Sequence, residues 1–63
     1  MEEDRYVKEQ KASDLTDIPL QTLRNLRCRG EGPSYVKFGR SVRYRVKDLI
    51  EFMESHRIET APL

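Results

Sequence analysis

The stretch TDIPLQTLRNLRCRG, residues 16–30, decides how this chain is read. Pro19 cannot continue a helix, and it biases Ile18 away from helical angles. Proline does suit the first turn of a new helix. A helix is therefore predicted over residues 20–29, with Leu20, Leu23 and Leu26 as its apolar side. Gly30 supplies a left-handed stop, and Pro33 lies shortly beyond it. Upstream, VKEQKASDLT, residues 7–16, spaces Val7, Ala12 and Leu15 among polar residues, which predicts a weakly amphipathic helix. Two short helices joined by a tight connection form a helix-turn-helix candidate.

Downstream, SYVKFGRSVRYR, residues 34–45, reads as two short strands around Gly39. Val36 and Phe38 share one face of the first strand, and Val42 and Tyr44 share one face of the second. A two-residue loop would put these pairs on opposite faces. A three-residue loop, Gly39-Arg40-Ser41, would put all four against the core, so that loop is the expectation. It also sets Lys37 opposite Arg43 on the outer face. Opposed like charges destabilise a sheet unless an anion lies against them. Residues 47–57, KDLIEFMESHR, read as a last helix with Asp48 in its first turn and an apolar stripe of Leu49, Ile50, Phe52 and Met53.

The expected fold is mainly α with a small β-hairpin, in the order helix, helix, hairpin, helix. A hairpin with a basic tip beside a helix-turn-helix is a wing. Residues 1–5 are expected to be an N-terminal tail, 6–57 the folded domain and 58–63 a C-terminal tail.

Composition narrows the chemistry. The chain has 63 residues, one cysteine (Cys28) and one histidine (His56), so it has neither an internal disulfide nor a zinc-ligand pattern. No serine has an evident histidine–acid partner, so no catalytic residue is assigned. Cys28 lies between Arg27 and Arg29 and is read as a groove-facing thiol, not a nucleophile. No apolar run has the length of a membrane span or secretory signal, so a cytoplasmic protein with no membrane partner is expected. The net charge of +1 hides a segregation. Residues 1–19 and 48–63 each sum to −3, while residues 20–47 sum to +7. A basic middle of that kind points to a polyanionic partner.

With Leu23 and Leu26 inward, the opposite side of the second helix carries Gln21, Arg24, Asn25 and Cys28. Arginine makes bidentate bonds to guanine, and asparagine or glutamine to adenine. Clustered on an exposed second helix, such residues suit a recognition helix (about residues 19–29) in a DNA major groove. Thr22, Arg27 and Arg29 flank that face within reach of phosphates. On the wing (residues 35–45), Arg40 suits a minor groove, and Lys37, Ser41, Arg43 and Arg45 suit the backbone.

Residues 6–57 resemble the excisionase-like winged helix-turn-helix domains, relatives of the DNA-binding headpiece of MerR regulators and of AlpA-type phage activators. The resemblance rests on IPLQTLRNLRCRGEGP and on YVKFGRSVRYRVKDLIEF. It implies double-stranded DNA as partner, with Gln21, Arg24 and Asn25 in the major groove and Arg40 in the minor groove. It further implies a phage or mobile-element protein in a bacterial, nucleoid-associated setting. Such a protein is either a recombination directionality factor that bends DNA beside an integrase or a small transcriptional regulator. Cooperative self-association on DNA fits a domain this small. Asp17 departs from the family at a position where glycine is common. No long dimerising helix follows, so neither a small-molecule ligand nor a cofactor is expected. RNA binding ranks lower: VKFGRSVRY lacks the second aromatic of an RNA-recognition strand, and the expected register turns Phe38 and Tyr44 inward, leaving Tyr35 as the one stacking candidate. A pure protein-interaction module, using the acidic Asp48, Glu51 and Glu54 of the last helix, also ranks lower.

Overall fold

The connection between the first two helices is closed by a left-handed residue. In the computed structural model, which describes residues 3–61, helix α1 (Glu9–Thr16) ends at Asp17 with φ 57° and ψ 21°. Asp17 is the one described non-glycine residue at positive φ. Aspartate tolerates this region better than most residues, though less well than glycine. Three hydrogen bonds lock the turn. Ser13 Oγ donates to the Ile18 carbonyl at 2.6 Å, Thr16 Oγ1 donates to the Ala12 carbonyl at 2.8 Å, and the Ile18 amide donates to Thr16 Oγ1 at 3.3 Å. Helix α2 (Leu20–Arg29) starts directly after Pro19, as its sequence predicts.

The exit of α2 is a Schellman cap. Gly30 sits at φ 69°, its amide donates to the Arg27 carbonyl at 3.1 Å, and the Glu31 amide donates to the Leu26 carbonyl at 2.9 Å. The chain then runs through Pro33, which is buried, into strand β2 (Val36–Phe38), strand β3 (Ser41–Arg45) and helix α3 (Val46–Ser55).

Residues 6–8 correct the expected first helix. They form strand β1 (Tyr6–Lys8), which pairs antiparallel with β3, so the sheet has three strands in the order β1-β3-β2. Val7 lies opposite Tyr44, and Lys8 opposite Arg43. Residues 3–5 correct the expected tail as well. The Val46 amide donates to the Arg5 carbonyl and the Lys47 amide to the Glu3 carbonyl, both at 2.8 Å. Those carbonyls satisfy two of the orphan donors at the start of α3, where no side-chain cap is present. Residues 1, 2, 62 and 63 of the expected tails lie outside the described range.

The hairpin register is the main correction. Phe38 pairs with Ser41, Lys37 with Val42 and Val36 with Arg43, so the loop has two residues, Gly39 and Arg40. Gly39 has φ 61° and Arg40 does not share the positive sign, which is the pattern of a type II′ turn with glycine in first place. A three-residue loop needs its left-handed residue last, which would be Ser41, so the position of the glycine selects the shorter loop. Paired residues share a face. Val7, Val42 and Tyr44 therefore face the helices together with Lys37, and Tyr6, Lys8, Val36, Phe38, Ser41, Arg43 and Arg45 lie on the outer face. Val36 and Phe38 are exposed, not core, Phe38 at 83% of its surface. The opposed like charges exist too, but as Lys8 against Arg43 in place of Lys37.

The core is Val7, Ala12, Leu23, Tyr44, Val46 and Leu49, with Ile18 and Val42 packed against it. Leu15, Ile50 and Met53 line the rim of a shallow apolar groove between α1 and α3 and keep part of their surface exposed. The stripe expected on α3 is therefore only half used. Three helices carrying a small antiparallel sheet make this a winged helix-turn-helix, with the β2–β3 hairpin as wing.

Because Asp17 holds a left-handed angle, Asp17→Gly is expected to match the parent in stability or exceed it by up to about 1 kcal/mol. Asp17→Val is expected to lose about 1–2 kcal/mol. Urea denaturation of both variants checks the pair, and equal stabilities would show that the angle carries no cost.

Candidate nucleic-acid interface

Helix α2 presents Gln21, Thr22, Arg24, Asn25 and Cys28 to solvent, because Leu23 is fully buried on its opposite side. Three of these side chains are already oriented. Gln21 Nε2 donates to Asn25 Oδ1 at 3.0 Å, one turn along. Arg24 donates from Nε at 3.1 Å and from Nη2 at 2.6 Å to one oxygen, Oε1 of Glu9.

Arg27 is turned the other way. Its Nη1 donates to Glu9 Oε2 at 3.2 Å and to the Tyr44 hydroxyl at 3.0 Å, and its guanidinium lies 5.7 Å from the centre of the Tyr35 ring. Tyr35 in turn packs tilted against Tyr44, with ring centres 6.2 Å apart. Glu9 thus joins the start of α1 to two arginines of α2, and Arg27 joins α2 to the central strand. The arginines, Arg24 first through its hydrogen bond, hold the Glu9 carboxyl below the usual glutamate range.

The wing supplies the other flank. Arg40 is exposed at its tip, and Ser41 is exposed beside it. Arg43 is half-buried, with Nη1 bonded to the Val42 carbonyl at 3.3 Å. Arg27, Arg40, Ser41, Val42 and Arg43 line one open groove of about 330 Å³ together with Lys8 and Glu9. The structure therefore brings Arg27 of α2 and the start of β3 to one groove.

Of the predicted residues, only Arg27, Arg40, Ser41 and Arg43 line that groove; Gln21, Thr22, Arg24, Asn25 and Cys28 lie on α2 outside it, and Arg29, Arg45 and Lys37 stand apart as well. Arg29 pairs with Glu31 at 3.3 Å at the helix exit. Arg45 Nη2 bonds Asp4 Oδ1 at 2.6 Å, at the N-terminal end of β1, and this bond lowers the Asp4 carboxyl below its ordinary value. Lys37 points to the helix side of the sheet but stays exposed on the edge strand. Lys8 and Glu9 are additions that sequence reasoning missed. The alternation Tyr6-Val7-Lys8 before a first-turn acid was the available signal for a strand there.

Other chemistry finds little support. Ser55 Oγ lies 3.2 Å from His56 Nδ1, but both groups bond the Phe52 carbonyl at the exposed end of α3. That is the geometry of a helix terminus, and no described carboxylate bonds the ring. Among the described residues no cluster of three or more histidine, cysteine or acidic side chains could hold a metal ion. No described helix is long and apolar enough to cross a membrane.

Residues 6–57 match the family described as a helix-turn-helix domain. The chain belongs to that family. It is accordingly a DNA-binding helix-turn-helix protein, and its partner is double-stranded DNA. The helix-turn-helix domain family is typically non-enzymatic. A search of curated proteins finds no match to the chain.

Glu9 yields a pH test. Its folded-state pKa is depressed, so its contribution to stability is complete above the ordinary glutamate range and disappears as pH falls through the lowered value. The carboxylate keeps 23% of its side-chain surface exposed, so solvent screens the pairs. Glu9→Gln is expected to cost about 0.5–1 kcal/mol at pH 7. The difference from the parent should close on acidification, as followed by denaturation at several pH values. A gap independent of pH would mean that the glutamate acts through packing instead.

Proposed function

We propose that this chain is a sequence-specific binder of duplex DNA of the excisionase type, which bends its site and so favours excisive recombination. The observation that carries the reading of the interface is the shared groove. Arg27 of α2 and Arg40, Ser41 and Arg43 of the wing line one cavity, on the side where Glu9 holds Arg24. A helix that fills a major groove would then set the wing over the adjacent minor groove. In this reading Gln21, Arg24, Asn25 and Cys28 face base edges, and Thr22 and Arg29 reach the backbone. Arg40 enters the minor groove, while Lys37, Ser41 and Arg43 hold phosphates. Arg27 and Arg45, tied to Glu9 and Asp4, act by holding the helix and sheet in register.

The excisionase assignment is supported by the resemblance of residues 6–57 to those domains. An integrase and neighbouring copies of this chain are the protein partners it brings. The assignment is tested by measuring the bend of a selected site, and excision with the recombinase encoded nearby. Binding that blocks a promoter, with a straight duplex and no effect on recombination, would assign the chain to transcriptional regulation instead.

With about four to six phosphate contacts, log K is expected to fall against log salt with a slope of roughly −4 to −5. Fluorescence anisotropy across a salt series measures it, and salt-independent association would contradict the interface.

Arg24→Ala and Asn25→Ala are each expected to cost about 1–3 kcal/mol of discrimination at one base position. Arg40→Ala should weaken all sequences alike. If site selection with the α2 variants returns the parental consensus, α2 does not read the bases.

A further inference from the structure

Phe38 is the most exposed aromatic residue of the described structure. It keeps 83% of its surface exposed, and Val36, its neighbour on the same face of β2, keeps 47%. The two-residue turn is the cause. The register pairs Phe38 with Ser41, and so places the ring on the outer face at the very end of the wing. No described aromatic ring packs against it.

Its surroundings define what can cover it. Lys37 precedes it in the chain, Arg40 follows across the glycine, and Arg43 lies one step back on the same face. None of the three forms an ion pair with a described carboxylate. An apolar ring framed by unpaired cations fits a surface that is flat and apolar with anions on both sides. A base-pair step between two phosphate backbones has that chemistry. An acidic protein surface would answer the cations, but the groove decides between them. Lys8, Ser41 and Arg43, the outer-face neighbours of Val36 and Phe38, line the same cavity as Arg27 of α2. Phe38 and Val36 do not line that groove themselves, but three residues of their face border it where it reaches Arg27 of α2.

The tip is also slim enough. A side chain at Gly39 would meet nothing within 4 Å, so the turn stands clear of the domain. A two-stranded ribbon ending in glycine can lower one arginine and one ring into a minor groove about 6 Å wide. Apolar side chains inserted there unstack a base step and kink the duplex towards the major groove.

We infer that Phe38 is an apolar wedge, which enters the minor groove beside Arg40 and kinks the DNA at a flexible pyrimidine–purine step. This rests on the DNA-binding reading above and adds the device that produces the bend. The two side chains at the tip divide the work by physics. Arg40 acts through charge and so through counterion release. Phe38 acts through stacking, which releases no counterions.

That division makes the test specific. The selected duplex is labelled at both ends, the bend is read by energy transfer, and affinity is read across a salt series for the parent, Phe38→Ala, Phe38→Leu and Arg40→Ala. Phe38→Ala is expected to straighten the DNA and weaken binding about 10- to 100-fold, as loss of one aromatic stack does. Its salt slope should be unchanged. Phe38→Leu, still a wedge, should keep most of the bend. Arg40→Ala should instead reduce the slope by about one. Thermal melting checks that the exposed-site variants keep the parental fold. If the parent binds no DNA, the underlying reading fails and the inference falls with it. A parent that binds without bending, or a Phe38→Ala that bends like the parent, overturns the wedge and leaves DNA binding standing. Loss of cooperative loading with the bend intact would also overturn it, and would place Phe38 against a neighbouring copy of the chain.

Discussion

Tyr44 ties the central strand to β1, through its pairing with Val7, and to α2. Its ring is fully buried on the central strand, and its hydroxyl meets Arg27 of α2 at 3.0 Å. A buried phenol needs a polar partner. Arg27 can serve because Glu9 draws its charge to the surface. One side chain therefore fixes the distance between sheet and helix, and the carboxylate at the start of α1 fixes the angle. Any DNA surface built from α2 and the wing inherits its geometry from this three-residue link.

Two groups of cations stand out. Arg24, Arg27, Arg29 and Arg45 are matched to internal anions, whereas Lys8, Lys37, Arg40 and Arg43 have no described carboxylate partner. The matched group is spread over helix and sheet. Of the unmatched group, Lys8, Arg40 and Arg43 border the groove. Local repulsion, most direct between Lys8 and Arg43, is left unrelieved in the free protein. A phosphate backbone along that groove would supply the missing counter-charge. Arg24 is a mixed case, since its partner Glu9 must share it with a base or yield it.

Much of this was legible in the residues. Pro19 and Gly30 bound α2 to the residue, because each has a backbone preference that no neighbour overrides. The exposed face of α2 follows from Leu23 alone. Residues 6–8 were harder. Three residues carry too little periodicity to separate a strand from the first turn of a helix, and their partner lies almost 40 positions away. The wing register was misread for a different reason. Hydrophobic parity asked Val36 and Phe38 to join the core, while Gly39 in first place of the loop asked for a two-residue turn. The turn won, since Val7 from β1 already fills the core beside Tyr44. Where a local signal and burial disagree, the exposed apolar residue that results is the one to examine for function.

The pairing of β1 with β3 has a consequence for how the molecule is made. The central strand is the fifth of six elements, and the strand beside it is the first. During synthesis α1 and α2 emerge with their core residues Ala12 and Leu23, but Tyr44 is still to come. Residues 3–7 then have no ladder to join, and the start of α3 has no carbonyls to bond until both ends meet. Folding must close a loop of about two thirds of the chain before the core is complete, a non-local step that slows small domains. Helix α2 is thus held in its final pose only once Tyr44 and the start of the last helix have been made.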